Sequence, residues 1–159
     1  MKKILWIEDE ADKRPMRLLC NLLNRCFNPE THIVPARNWI EVETFFTSQS
    51  APPVALILDV LLPSVVEPNR EDGLRGGTHI YMRLFETQAF LKLLGTKFHL
   101  PVAILSNLGL EDLTKIEGEI RALHNGGQPV RAWRKTSSMY DTFPRELSQW
   151  LQTNNVTFK

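Results

Sequence analysis

Val54-Ala-Leu-Ile-Leu-Asp59-Val-Leu-Leu-Pro63 is an apolar run cut by a single carboxylate and closed by a proline. Val54 to Leu58 is too short for a buried helix and too continuous for a strand with one wet face, so it reads as a strand covered on both sides. Asp59 then stands where that strand meets solvent. Two further runs have the same form: Lys3 to Ile7 ends at Glu8-Asp9-Glu10, and Val102 to Leu105 ends at Ser106-Asn107. Weaker strands are expected at His32 to Pro35 and at Val130 to Arg134, the latter following the turn signal Asn125-Gly126-Gly127.

Helical spacing fills the intervals. Pro15 suits a first turn, and Met16, Leu18, Leu19, Leu22, Leu23 and Phe27 are expected to make one apolar face. Helices also fit Trp39 to Phe46, Thr78 to Leu94, Leu110 to His124 and Tyr140 to Gln152. Alternation of this kind predicts an α/β domain with a five-stranded parallel sheet, helices on both faces and the flavodoxin-like order 2-1-3-4-5. The polar, glycine-containing stretch Ser64 to Gly77 is longer than an ordinary connection. It reads as a surface excursion, with a partner-recognition element or a lid over Asp59 as the alternative.

Composition narrows the function. A chain of 159 residues with 43% hydrophobic content supports one core without a metal or disulfide staple. The 19 Lys+Arg against 18 Asp+Glu give a net charge of +1, which disfavours direct nucleic-acid binding. No apolar stretch nears the roughly 20 residues of a membrane span, and only four apolar residues precede Glu8, too few for a signal peptide. A cytoplasmic location is expected. Cys20 and Cys26 lie too far apart along one helix for a disulfide and read as packing thiols, and His32, His79, His99 and His124 have no ligand spacing. Trp6, Phe45, Phe46, Phe85, Phe90 and Trp150 read as core or sheet-to-helix packing, and Arg121, Arg131 and Arg134 as a modest basic cluster on a solvated or partner-facing surface.

In doubly wound sheets, ligands bind beyond the carboxyl ends of the strands. There this sequence places Glu8-Asp9-Glu10, Asp59, Ser106-Asn107 and Lys135-Thr136. Carboxylates gathered at one place repel one another, and a hard divalent cation, Mg²⁺, is the fitting compensation. With Asp9 and Asp59 on the ion and Glu8 acting through water, an Asp59 oxygen stays free to attack a phosphoryl group. Lys135 would neutralise that group's oxygens and Ser106 would donate a hydrogen bond to it. Each residue also has a plainer reading: an acidic cluster favours a helix start, a serine can be an N-cap, and a lone lysine can be solvated.

The set Ile4-Leu-Trp-Ile-Glu-Asp-Glu10, Leu56-Ile-Leu-Asp-Val-Leu-Leu-Pro63, Pro101-Val-Ala-Ile-Leu-Ser106 and Lys135 resembles the receiver domains of two-component response regulators over Lys2 to Leu151. The resemblance implies Asp59 as phosphoacceptor, with Glu8, Asp9, Asp59 and the backbone carbonyl of Leu61 as the Mg²⁺ site. It also implies Ser106 as switch hydroxyl and Lys135 as phosphate-binding lysine, with Asn107 at the same pocket. A histidine kinase, a phosphotransfer protein or a small phosphodonor would supply the phosphoryl group, and a downstream protein would read the result, most directly around the fourth helix, fifth strand and fifth helix. With no effector domain after Gln152, the chain is expected to act as a single-domain regulator or relay intermediate.

Three positions depart from the family pattern. Thr136 stands where a proline usually follows the lysine, Ala132 where an aromatic residue usually couples to the switch hydroxyl, and Asn107 where a small residue is common. Leu61 and Leu108 cannot orient a hydrolytic water, so a long-lived acyl phosphate is expected. The departures support an alternative, a non-phosphorylated pseudo-receiver that binds proteins. A haloacid dehalogenase-type hydrolase also uses an aspartyl nucleophile and Mg²⁺, but neither Glu8 nor Asp59 begins that family's Asp-x-Asp-x-Thr run.

Overall fold

The computed structural model describes residues 2–27, 29–48, 51–59, 100–122 and 129–154. Its strands are β1 (Lys2–Ile7), β2 (Thr31–Ala36), β3 (Ala55–Leu58), β4 (Val102–Ser106) and β5 (Val130–Arg134). They form one five-stranded sheet in the order β2-β1-β3-β4-β5, every pair parallel. Among the described residues the helices are α1 (Arg14–Cys26), α2 (Trp39–Ser48), α3 (Leu110–Ala122) and α4 (Met139–Thr153). The helix expected at Thr78 to Leu94, the excursion from Ser64 to Gly77 and the end of the helix expected to reach His124 lie outside the described residues.

Period-two alternation assigns each strand side chain to one of two cores. Leu5, Ile7, Leu56, Leu58, Val102 and Ile104 meet α2 and α3. Ile4, Trp6, Ile57, Ala103, Leu105 and Trp133 meet α1 and α4. β3 and β4 are wholly buried, which explains why they read as unbroken apolar runs, whereas β2 mixes buried and exposed residues as a sheet edge does.

Local chemistry moves some expected boundaries and faces. Val54 is not in β3, although its N–H bonds the Lys3 carbonyl at 2.8 Å, and Ser106 is the last residue of β4 rather than the first beyond it. Leu18 is 51% exposed, not part of the core face. It follows Met16 by two residues, about 200° around the helix, while Met16, Leu19 and Leu23 at spacings of three and four face inward. Cys26 is exposed on the last turn of α1, so only half-buried Cys20 packs. Among the late basic residues, Arg121 pairs with Glu117, while Arg131 lies over the Trp133 ring.

Candidate functional site

The sheet ladder itself delivers the charged residues to one rim. The Glu8 N–H donates to the Ala36 carbonyl at 2.9 Å, Asp59 N–H to Ile7 at 3.0 Å, and Lys135 N–H to Ser106 at 2.8 Å. Each bond extends a strand pairing by one residue. Since Ile7 pairs with Leu58, Glu8 and Asp59 are neighbours in register. Alternation puts Glu8, Asp59 and Lys135 on the side of Trp6, Ile57 and Trp133, and Ser106 on the side of Ile104.

The consequence is a buried, directed charge cluster. The Lys135 ammonium donates to Glu8 Oε2 and to Asp59 Oδ2, both at 2.8 Å, with only 9% of the lysine side chain exposed. Glu8 Oε1 accepts the Glu10 backbone N–H at 3.3 Å. Burial pushes the Glu8 carboxyl up from the ordinary value of 4.5 to about 8, and Asp59 adds to the rise while Lys135 opposes it. Asp9, half-buried beside them, is raised as well, first by burial and then by Asp59 and Glu10, against a hydrogen bond with Glu8. For Lys135, burial alone would lower the value, but Asp59 and then Glu8 outweigh it and hold the ammonium above 10.5.

The plainer readings of these residues do not describe the structure. Helix α1 starts at Arg14, beyond the acids, with Lys13 as its N-cap residue and no acidic side chain in its first turn. The acids therefore do not serve that helix. Ser106 does not cap α3 either, because the first α3 bond runs from Leu113 N–H to the Gly109 carbonyl. Its hydroxyl is fully buried and finds no hydrogen-bond partner among the described residues. An orphaned buried hydroxyl costs about 1–3 kcal/mol, a penalty a ligand oxygen would remove.

The donor set fits a hard cation. One carboxylate oxygen each from Glu8, Asp9 and Asp59 lies within 4.8 Å of the others, and all-oxygen ligation by carboxylates suits Mg²⁺. The Leu61 carbonyl lies outside the described residues. Asn107 is exposed just beyond Ser106, and Leu108 is half-buried against the α2–α3 core. Ala132 and Trp133 point to opposite faces as alternation requires, and the Trp133 indole N–H bonds Glu146 at 2.8 Å on the α4 side, away from Ser106.

One supporting residue was not singled out from the sequence. Arg37, just past β2, bonds Asp12 at 3.1 Å and Glu41 at 2.9 Å, tying the acidic loop after β1 to α2. The Arg37 to Glu41 spacing is legible as an i, i+4 pair, but the link to Asp12 exists only in the folded chain. A groove of about 580 Å³ beside Arg17, Cys20, Pro35 and Arg37 shares no residue with the charge cluster.

No family model matches the chain, and no curated protein matches it. Among solved structures, the fold is similar to the crystal structure of a response regulator receiver domain protein from Clostridium thermocellum. The two share 21% sequence identity over 97% of this chain and 94% of that one, with a TM-score of 0.57. The likeness establishes the receiver fold, with the five-stranded order read from the sequence. No helix among the described residues is long and apolar enough to cross a membrane.

Proposed function

We propose that this chain is a phosphoryl-accepting receiver, a signalling switch or relay component that takes a phosphoryl group on Asp59 from a histidine kinase or a phosphotransfer protein. The observation that carries this reading is the fully buried Ser106 hydroxyl without a partner among the described residues, on the same rim as Lys135 bonded to Glu8 and Asp59 at 2.8 Å. Such a rim is arranged for something that brings oxygens to a hydroxyl and an ammonium.

Asp59 is the nucleophile in this scheme. A carboxylate oxygen of Asp59 forms the new P–O bond as the P–N bond of the donor phosphohistidine breaks. The electron pair returns to that ring nitrogen, and the ring, protonated on its other nitrogen, leaves neutral. Lys135 keeps its proton throughout, exchanging its bond to the Asp59 carboxylate for one to a phosphoryl oxygen. Ser106 donates its unused O–H to a second oxygen, and Asn107 borders the same pocket. Glu8, Asp9, Asp59 and the Leu61 carbonyl would hold Mg²⁺, which when bound supplies positive charge against the phosphoryl oxygens and relieves the repulsion among the acids.

Intact mass after incubation with acetyl phosphate and Mg²⁺ tests this. One phosphoryl adduct is expected, absent in Asp59→Asn and in the presence of EDTA. No adduct under conditions that label an ordinary receiver would leave the protein-binding pseudo-receiver as the standing reading.

A further inference from the structure

The two edges of the sheet are closed in different ways. In a parallel strand, successive residues turn their N–H and C=O groups to opposite sides. In β2, Lys2 N–H bonds the Glu30 carbonyl and Glu8 N–H bonds that of Ala36, so Thr31, Ile33 and Pro35 turn away from β1. The Ile33 N–H is held by Asn24 Oδ1 of α1 at 2.9 Å, and Pro35 has no N–H at all. That closure is covalent at Pro35 and a side-chain bond from α1 at Ile33.

The β5 edge has no proline. Val102 N–H bonds the Pro129 carbonyl and Lys135 N–H bonds that of Ser106, so Val130, Ala132 and Arg134 turn outward. Two side chains of α3 cover this row. Glu117 Oε2 accepts the Ala132 N–H at 3.1 Å, Arg121 Nη2 donates to the Val130 carbonyl at 2.7 Å, and the same guanidinium nitrogen donates to Glu117 Oε1 at 2.8 Å. Both side chains are partly exposed, so water competes for every one of these bonds.

We propose that the Glu117–Arg121 pair is a removable seal on β5, and that withdrawing it lets a second copy of this chain pair with β5. The occupant follows from the other edge. Because Pro35 and Asn24 deny β2 to an incoming strand, β5 of one copy is left to pair with β5 of another, which is a closed two-fold arrangement and not an open filament. Antiparallel pairing centred on Ala132 sets Arg131 opposite Trp133 of the second copy and Arg134 opposite its Val130. Like charges therefore do not meet. Within one chain Arg131 already lies 4.6 Å from the Trp133 ring centroid, the same chemistry this pairing would offer across copies.

The test is the mass in solution of the wild type and of Glu117→Gln with Arg121→Gln, by sedimentation across a concentration series. A doubling of mass confined to the double variant, reversed by adding Ala132→Pro to remove the outward N–H, is expected. A dimer that survives Ala132→Pro overturns the proposal, as does a double variant that stays monomeric at every concentration. If the double variant does not fold, Arg121→Gln alone combined with hydrogen exchange at the Ala132 amide decides. Faster exchange on dilution with slowing on concentration supports the seal, and exchange equal to wild type overturns it.

Discussion

Leu58 and Asp59 are consecutive and both almost fully enclosed, yet opposite physics governs them. Up to Leu58, β3 lies among apolar side chains on both faces, where each large buried residue contributes about 1.5–3 kcal/mol without demanding a particular partner or angle. One residue later, enclosure of a carboxylate costs several kcal/mol unless ion pairs and hydrogen bonds of fixed geometry offset it. The sheet interior is a source of stability and the rim is a draw on it. What that expenditure obtains is a group of side chains whose bonding is directed and, at Ser106, incomplete.

Removing Lys135 is expected to break this contrast most severely. Lys135→Ala leaves Glu8 and Asp59 buried without their shared cation, a loss of about 3–5 kcal/mol near pH 8. The deficit should shrink as the pH falls, because Glu8, whose carboxyl burial already raises, then folds in its protonated form. Ile57→Ala, one residue before Leu58 and on the face of β3 that Asp59 shares, should cost about 2–5 kcal/mol through the cavity it opens. That loss should not vary with pH. Urea unfolding of both variants at pH 6 and pH 8 separates the two regions, and a Lys135→Ala deficit independent of pH would make the lysine a packing residue.

Legibility in the sequence divides along the same boundary. The strands and their order are readable because burial on two faces leaves a local trace, an apolar run of strand length bounded by polar residues. The rim is readable because each polar residue directly ends or follows such a run. Faces within a helix are harder: Leu18 is as apolar as Leu19, and only their 100° separation puts one in water and the other in the core. Pairings across the fold leave no local trace. Nothing near Glu117 in the sequence announces that its carboxylate meets the Ala132 N–H, and nothing near Lys135 announces that one ammonium reaches both Glu8 and Asp59. Such contacts come from register and helix packing, which residue types alone underdetermine.

The smallest expected effect per step is a slope with pH in the metal-free protein, at most about 1.4 kcal/mol per pH unit for one proton. Glu8 titrates near its ordinary value of 4.5 when unfolded and near 8 when folded, so between those limits the folded chain holds a proton that the unfolded chain has released. Bound protons then favour the folded state, and this contribution declines as pH rises from about 4.5 to about 8. Asp9, also raised, acts in the same sense. Lys135 has the complementary sign: its raised value gives stability that is complete below 10.5 and is lost only as pH climbs through the folded value, outside the carboxyl window. Mg²⁺ and protons compete for the same carboxylates, so Mg²⁺ should bind more tightly as pH rises toward 8 and should flatten the slope. Unfolding followed from pH 5 to pH 9, with EDTA and with Mg²⁺, reads both effects. A metal-free stability that climbs across this range would mean that Lys135 outweighs burial at Glu8, and the rim would then be settled by its own ion pairs before any ligand arrives.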